Sequence, residues 1–198
     1  MKPIRHPVLG LTPSKRALVF VASLVFGFVL WYALRTLDAA LANPKSSGIV
    51  SLQLAYTAER SQEIIGSWDK TARDSAQSGL LLDFLFPVCY STALTIACFW
   101  AVALFRERGY RKTGWLAAVV AWAQWPAAVF DYMENVALWV ELHGTIADPW
   151  PRIAFVCASL KFFLVATALV ILIAALVVWI FRFRAAAPPT PAVVPPPS

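Results

Sequence analysis

Four long runs of apolar residues, separated by polar stretches, dominate the pattern along this chain. Each run is close to the roughly 20 residues that a helix needs to cross a bilayer. The pattern predicts an all-α fold, a polytopic four-helix transmembrane bundle. The apolar runs cover 17–34, 84–105, 114–130 and 162–181. With their flanking turns, the spans are expected at about 17–37, 79–105, 114–142 and 152–181, within a membrane domain of residues 17–184.

Segment 38–78, between the first two spans, is the longest stretch predicted outside the bilayer. Residues 49–69 place apolar side chains on one broad face and charged ones opposite, which predicts a single amphipathic helix that lies on the membrane or caps the bundle. Residues 1–16 form a basic N-terminus, and the proline-rich tail 185–198 is expected to be disordered.

Composition and charge support the membrane interpretation. The chain is 60% hydrophobic and only 14% charged, whereas soluble domains are about 25% charged. Basic residues concentrate in the N-terminal segment, in loop 106–113 and after the fourth apolar run. This distribution places both termini on the cytoplasmic side of a bacterial-type inner (plasma) membrane. The net charge of +6 therefore reflects topology, and no nucleic-acid partner is predicted. The first run has 18 residues, more than the core of a signal peptide, so we interpret it as an anchor.

The sequence DYMEN, residues 131–135, places carboxylates at the end of an uncharged run. Asp131 is 17 residues beyond Gly114, about 25 Å along a helix that crosses a bilayer of about 30 Å. Asp83 and Lys161 each precede the apolar part of their own span on the same outer side. Three helices are therefore expected to place these groups in one polar layer near the outer boundary of the membrane.

Helical phase suggests a pocket in this layer. Gln124 and Asp131 share a stripe of the third span, and Asp83 shares a face with Tyr90 on the second. Pro87 and Pro126 are expected to kink the spans near the layer. The pattern predicts a polar pocket open to the outer face and floored by Gln124. The candidate residues are Asp83, Tyr90, Gln124, Asp131, Glu134, Asn135 and Lys161.

Two interpretations of these residues remain open. The polar cluster is either an ion-paired lock between helices or a ligand site, and the leading interpretation is a non-enzymatic binding or assembly protein, a subunit or scaffold with a lipid or membrane-protein partner. The alternative is a small membrane enzyme or carrier for a lipid or isoprenoid substrate, with Asp131 as base and Tyr90 or Lys161 as electrophilic partner. The three cysteines lie in apolar runs without a C-x-x-C motif, and neither a metal site nor a cofactor is predicted.

Overall fold

The structure, a computed structural model, describes residues 6–144 and 146–185. The proline-rich tail beyond residue 185 and the first five residues lie outside this description. Within the described part the chain is all-α, apart from two paired two-residue strands, β1 (Ala42–Asn43) and β2 (Ser46–Ser47). Three of its helices, α1, α5 and α7, are long and apolar enough to cross a membrane and indicate a multi-pass membrane protein. The helices are α1 (Pro13–Asp38), α2 (Ile49–Gln53), α3 (Ala58–Gly66), α4 (Lys70–Asp83), α5 (Phe86–Glu107), α6 (Arg111–Leu142) and α7 (Trp150–Ala185).

Helix α6 differs in composition from the three candidate spans. It is 32 residues long and contains the expected third apolar run, but it also carries Gln124, Pro126 and several carboxylates. These residues lower its mean hydropathy, so α6 is not among the helices that composition alone marks as spans within the described residues. Its most extensive contacts are with α5 on one side and α7 on the other.

Small side chains form the contact between α5, α6 and α7. Ala117, Ala118 and Ala121 of α6 are fully buried, as is Ala168 of α7. Small residues allow helix backbones to approach closely, and polar side chains then bond across the interface. The hydroxyl of Thr95 on α5 donates to the carbonyl of Ala121 at 3.2 Å. The three helices therefore form a tightly packed unit.

The outer segment folds differently from the single amphipathic helix that the sequence predicts. Helix α2 ends at Gln53, and Tyr56, whose φ of 64° is incompatible with a continuing helix, lies in the connection to α3. Thr57 then caps α3, accepting a hydrogen bond from the backbone N–H of Arg60 at 3.2 Å. Ile64 is buried as expected, but Val50, on the other side of the break, remains 44% exposed. The apolar residues of this segment therefore do not share one face.

The junction between α4 and α5 also corrects an expectation. The sequence predicts one helix over 79–105 with a kink at Pro87, but α4 ends at Asp83 and α5 begins at Phe86. Pro87 lies in the first turn of α5, where its missing N–H leaves no hydrogen bond unmade. The predicted kink at Pro87 is therefore wrong, whereas Pro126 does lie inside α6.

The N-terminal segment packs against the bundle at His6. The 3₁₀ turn Pro7–Gly10 leads into α1, and the ring of His6 lies 4.3 Å from that of Trp122 and 5.1 Å from that of Phe99, measured between centroids. His6 is only 4% exposed. This contact attaches the start of the described chain to α5 and α6.

Candidate functional site

A buried cluster of three charged side chains, which we call the ion triad, joins α6 to α7. Lys161 Nζ on α7 lies 2.6 Å from Asp131 Oδ1 and 2.9 Å from Glu134 Oε1 on α6. All three side chains are almost completely excluded from solvent. Because Asp131 and Glu134 are three residues apart, they lie on one face of α6 and reach the same ammonium.

The ion triad constrains how α6 packs against α7. Burying one charge costs roughly several kcal/mol of stability, and a close ion-pair partner offsets this cost. Loss of one partner leaves the other charge buried and unpaired. The face of α7 that carries Lys161 is otherwise built from small buried residues, Ala154, Cys157 and Ala158. The two helices can therefore approach closely enough for the ammonium to meet both carboxylates inside the bundle.

Two polar side chains next to the ion triad lack hydrogen-bond partners among the described residues. Asn135 is fully buried, and neither Oδ1 nor Nδ2 of its side chain is bonded. The hydroxyl of Tyr90 on α5 is also unbonded. The amide of Asn135 lies beside Asp83, and the hydroxyl of Tyr90 lies beside Asp131. Neither pair has the geometry of a hydrogen bond. A buried polar group left unsatisfied costs about 1–3 kcal/mol, so a side chain kept in this state is suited to bind a ligand.

Asn135 and Tyr90 both line an open cavity of about 370 Å³, to which α1, α2, α4, α5, α6 and α7 contribute residues. Most of its wall is apolar, with a polar patch on one part, so the cavity matches a molecule with one polar and one apolar end. Apolar residues of the wall include Trp31, Leu34, Leu80, Phe86, Phe162 and Val165. The polar patch comprises Asp83, Tyr90, Asp131, Asn135 and Lys161.

Asp83 contributes a second carboxylate to this polar patch. It is the last residue of α4 and lines the cavity together with Asp131 and Lys161. No cation forms an ion pair with Asp83 within the described residues, whereas Asp131 is paired with Lys161. The polar patch therefore has more acidic groups than its one lysine neutralises.

Gln124 does not form the floor of the pocket, and this part of the sequence prediction is wrong. Its Nε2 atom donates to the carbonyl of Val120 at 3.1 Å and to that of Leu164 on α7 at 3.3 Å. The close packing of α6 on α7 brings this carbonyl within reach and turns the amide away from the cavity. Glu134 also lies outside the wall, because its carboxylate turns toward Lys161.

Two of the candidate membrane spans, α1 and α7, contribute to the wall of the cavity. Helix α1 packs on α4 and α5, while α7 packs on α6 and α5, and no extensive contact joins α1 to α7 within the described residues. Trp31 of α1 and Phe162 of α7 line the cavity and are nevertheless 47% and 44% exposed. Both side chains therefore extend from the cavity wall to the surface of the bundle.

Sequence reasoning missed two charged residues of the cavity wall and one buried carboxylate elsewhere on α6. Arg35 and Asp38, in the last turn of α1, also line the cavity. Glu141 of α6 is fully buried near Ser61 of α3, and neither of its oxygens meets hydrogen-bond geometry among the described residues. Helical phase could have indicated Glu141, because it follows Glu134 by two turns and therefore lies on the same face of α6. The contribution of α1 depends on tertiary packing and left no signal in the sequence.

The fold and the cavity together define a helical protein with features of a multi-pass membrane protein and an amphipathic cavity among its helices. Comparison with protein-family models, with curated proteins and with solved structures finds no match for the chain. Its function therefore has to be inferred from the chemistry of the cavity and of the residues around it.

Proposed function

We propose that the chain crosses the membrane four times, with α6 as the additional span and both termini in the cytoplasm. At about 1.5 Å per residue, α6 is roughly 48 Å long, more than the roughly 30 Å of a bilayer core. Its exposed surface includes Trp125, Val129 and Met133, while Asp131 and Glu134 face the bundle interior. This distribution is the one expected for a membrane helix that carries polar residues.

The crossing of α6 predicts that Arg108 and His143, which are both exposed and flank this helix, lie on opposite sides of the membrane. In intact cells, a membrane-impermeant maleimide should label His143→Cys directly and label Arg108→Cys only after permeabilisation. The native cysteines Cys89, Cys98 and Cys157 are buried and should give little background. Equal labelling of both variants before permeabilisation would contradict the topology.

In this topology the cavity binds a membrane lipid, and the protein acts as a lipid-binding protein rather than an enzyme. The observation that carries this proposal is Asn135, a fully buried amide with neither polar atom bonded among the described residues, at the wall of a mostly apolar cavity. A lipid fits both parts of the wall, because its polar head can satisfy the amide while its chains cover the apolar surface. Such a molecule would enter from the bilayer between α1 and α7, where Trp31 and Phe162 reach both the cavity and the bundle surface.

The hydrogen bond between Lys161 and Asp131 favours a binding function over a catalytic one. As a base, Asp131 would need to accept a proton from a substrate, but its Oδ1 accepts a hydrogen bond from Lys161 at 2.6 Å. This contact engages the oxygen with Lys161 of α7 inside the contact between the two helices. The ion triad is therefore assigned to holding α6 and α7 together and shaping the polar patch of the cavity.

Replacement of Asn135 by leucine, a side chain of similar size, tests the proposal. Because the amide makes no hydrogen bond within the described chain, Asn135→Leu should leave stability unchanged or raise it by about 1 kcal/mol. The same change should abolish lipid retention. Native mass spectrometry of the tagged protein, released from its own membranes in mild detergent, measures retention, and thermal unfolding measures stability.

Ser61→Ala provides the matched control, since Ser61 is a fully buried polar residue outside the cavity wall. This variant should retain the same lipid adduct as the wild type. A wild-type protein without any lipid adduct, or an Asn135→Leu variant that keeps the adduct, would contradict the proposed function. A stoichiometric second polypeptide in place of lipid would instead favour the role of a subunit.

A further inference from the structure

The charges around the cavity differ in whether they are already paired. Asp131 and Lys161 are engaged with each other in the ion triad. Asp83 and Arg35, which also line the cavity, form no ion pair within the described residues. A carboxylate and a guanidinium are therefore both left to interact with a ligand, and a ligand that carries both signs of charge complements them.

The polar atoms around Asp83 favour a ligand with N–H donors. Its carboxylate offers only acceptor sites when ionised, and the nearby Asn135 Oδ1 is an unbonded acceptor among the described residues. Tyr90 adds a hydroxyl that is also unbonded there. A primary ammonium has three N–H donors and a positive charge, so it satisfies the amide oxygen and neutralises the carboxylate of Asp83.

Arg35 supplies a cation to the wall of the same cavity. It is an exposed residue in the last turn of α1, and in the proposed topology this helix end lies at the outer surface of the membrane. A guanidinium matches the geometry of phosphate oxygens and is well suited to bind them. Cationic side chains at a membrane surface also meet lipid phosphates at that level.

We infer that the cavity selects a zwitterionic aminophospholipid, whose ammonium binds at Asp83 and Asn135 and whose phosphate binds at Arg35. This inference rests on the proposed lipid-binding function and adds the headgroup class. An anionic glycerol headgroup brings no cation to Asp83 and is disfavoured by its charge. A choline headgroup carries a positive charge but no N–H donor, so it leaves Asn135 Oδ1 unsatisfied.

The test is a competition in nanodiscs that contain equal amounts of phosphatidylethanolamine, phosphatidylglycerol and phosphatidylcholine, with adducts read by native mass spectrometry. The wild type should retain the ethanolamine lipid roughly tenfold or more above each competitor, as expected for a charge-assisted contact. Asp83→Asn should lose this preference. Arg35→Gln should weaken retention of all three lipids together, because each of them carries a phosphate.

Matched controls lie outside the cavity. Asp74→Asn, on the exposed face of the same helix as Asp83, and Arg60→Gln, on α3, should retain lipids as the wild type does. Preference for the glycerol or choline lipid, or an unchanged preference in Asp83→Asn, would overturn the headgroup assignment while leaving lipid binding intact. Absence of any adduct on the wild type would overturn lipid binding itself, so the two failures are distinguishable.

Discussion

Lys161→Met is expected to destabilise the protein by roughly 3–5 kcal/mol, the largest effect expected of a single substitution in the ion triad or the cavity wall. The substitution leaves Asp131 and Glu134 buried without their shared cation, and both carboxylates then have to be protonated or exposed. The loss should appear as a lower midpoint of thermal or denaturant unfolding in detergent. It should also appear as exposure of the contact between α6 and α7 to proteolysis.

A charge-free version of the ion triad tests whether the destabilisation comes from unpaired buried charges. Combining Lys161→Met with Asp131→Leu and Glu134→Met removes every charge of the triad and should recover most of the lost stability, because an apolar cluster of similar volume replaces a buried ion cluster at little cost. Lys70→Met is the matched control. Lys70 pairs with Asp74 at the surface, where ion pairs contribute little, so its removal should leave the midpoint of unfolding nearly unchanged. Equal effects of the two lysine substitutions would contradict the structural role of the triad.

Gly48→Ala should have the next largest effect, a loss of roughly 2–4 kcal/mol in the outer segment. Gly48 has a φ of 122°, and a Cβ at this position would lie 2.5 Å from both carboxylate oxygens of Asp38. The same carboxylate accepts a hydrogen bond from the backbone N–H of Ile49 at 2.6 Å, at the start of α2. The substitution therefore strains the backbone and displaces the group that positions α2. Limited proteolysis of the outer segment and thermal unfolding should both report this loss.

Gly66→Ala is the corresponding control. Gly66 is the last residue of α3, and no atom lies within 4 Å of the position that a Cβ would take. Alanine at such a position should leave stability unchanged or raise it by up to about 1 kcal/mol, because it restricts the unfolded chain. If both glycine substitutions were neutral, the steric argument at Gly48 would be wrong.

The helices and the relative heights of their polar groups could be predicted from sequence, because both follow from length and spacing. Counting residues along the expected spans places Asp131 and Lys161 at the same level, and the structure brings their side chains into contact. Helical phase indicates the small-residue face of α7 around Lys161. Such predictions need only the rise and the period of a helix.

Features that depend on tertiary contacts could not be predicted in this way. Gln124 turns to the carbonyl of Leu164, an acceptor available only once α6 and α7 have packed. Tyr56 breaks the outer segment through its backbone conformation, without a glycine or proline to mark the break. The wall contributed by α1 and α4, including Arg35, forms only when separate elements meet at the cavity. Whether the candidate residues bind a ligand stays a prediction.

The ion triad also has a consequence for how the chain is made. In the proposed topology, α6 brings two carboxylates into the membrane before Lys161 has entered it, and charged residues make a helix a poor candidate for insertion on its own. The chain between Leu142 and Trp150 is short, so α7 follows directly and supplies the compensating ammonium. Helices α6 and α7 are therefore suited to enter the membrane together as one hairpin. A nascent chain that ends before α7 would leave the two carboxylates unpaired and expose it to cellular quality control.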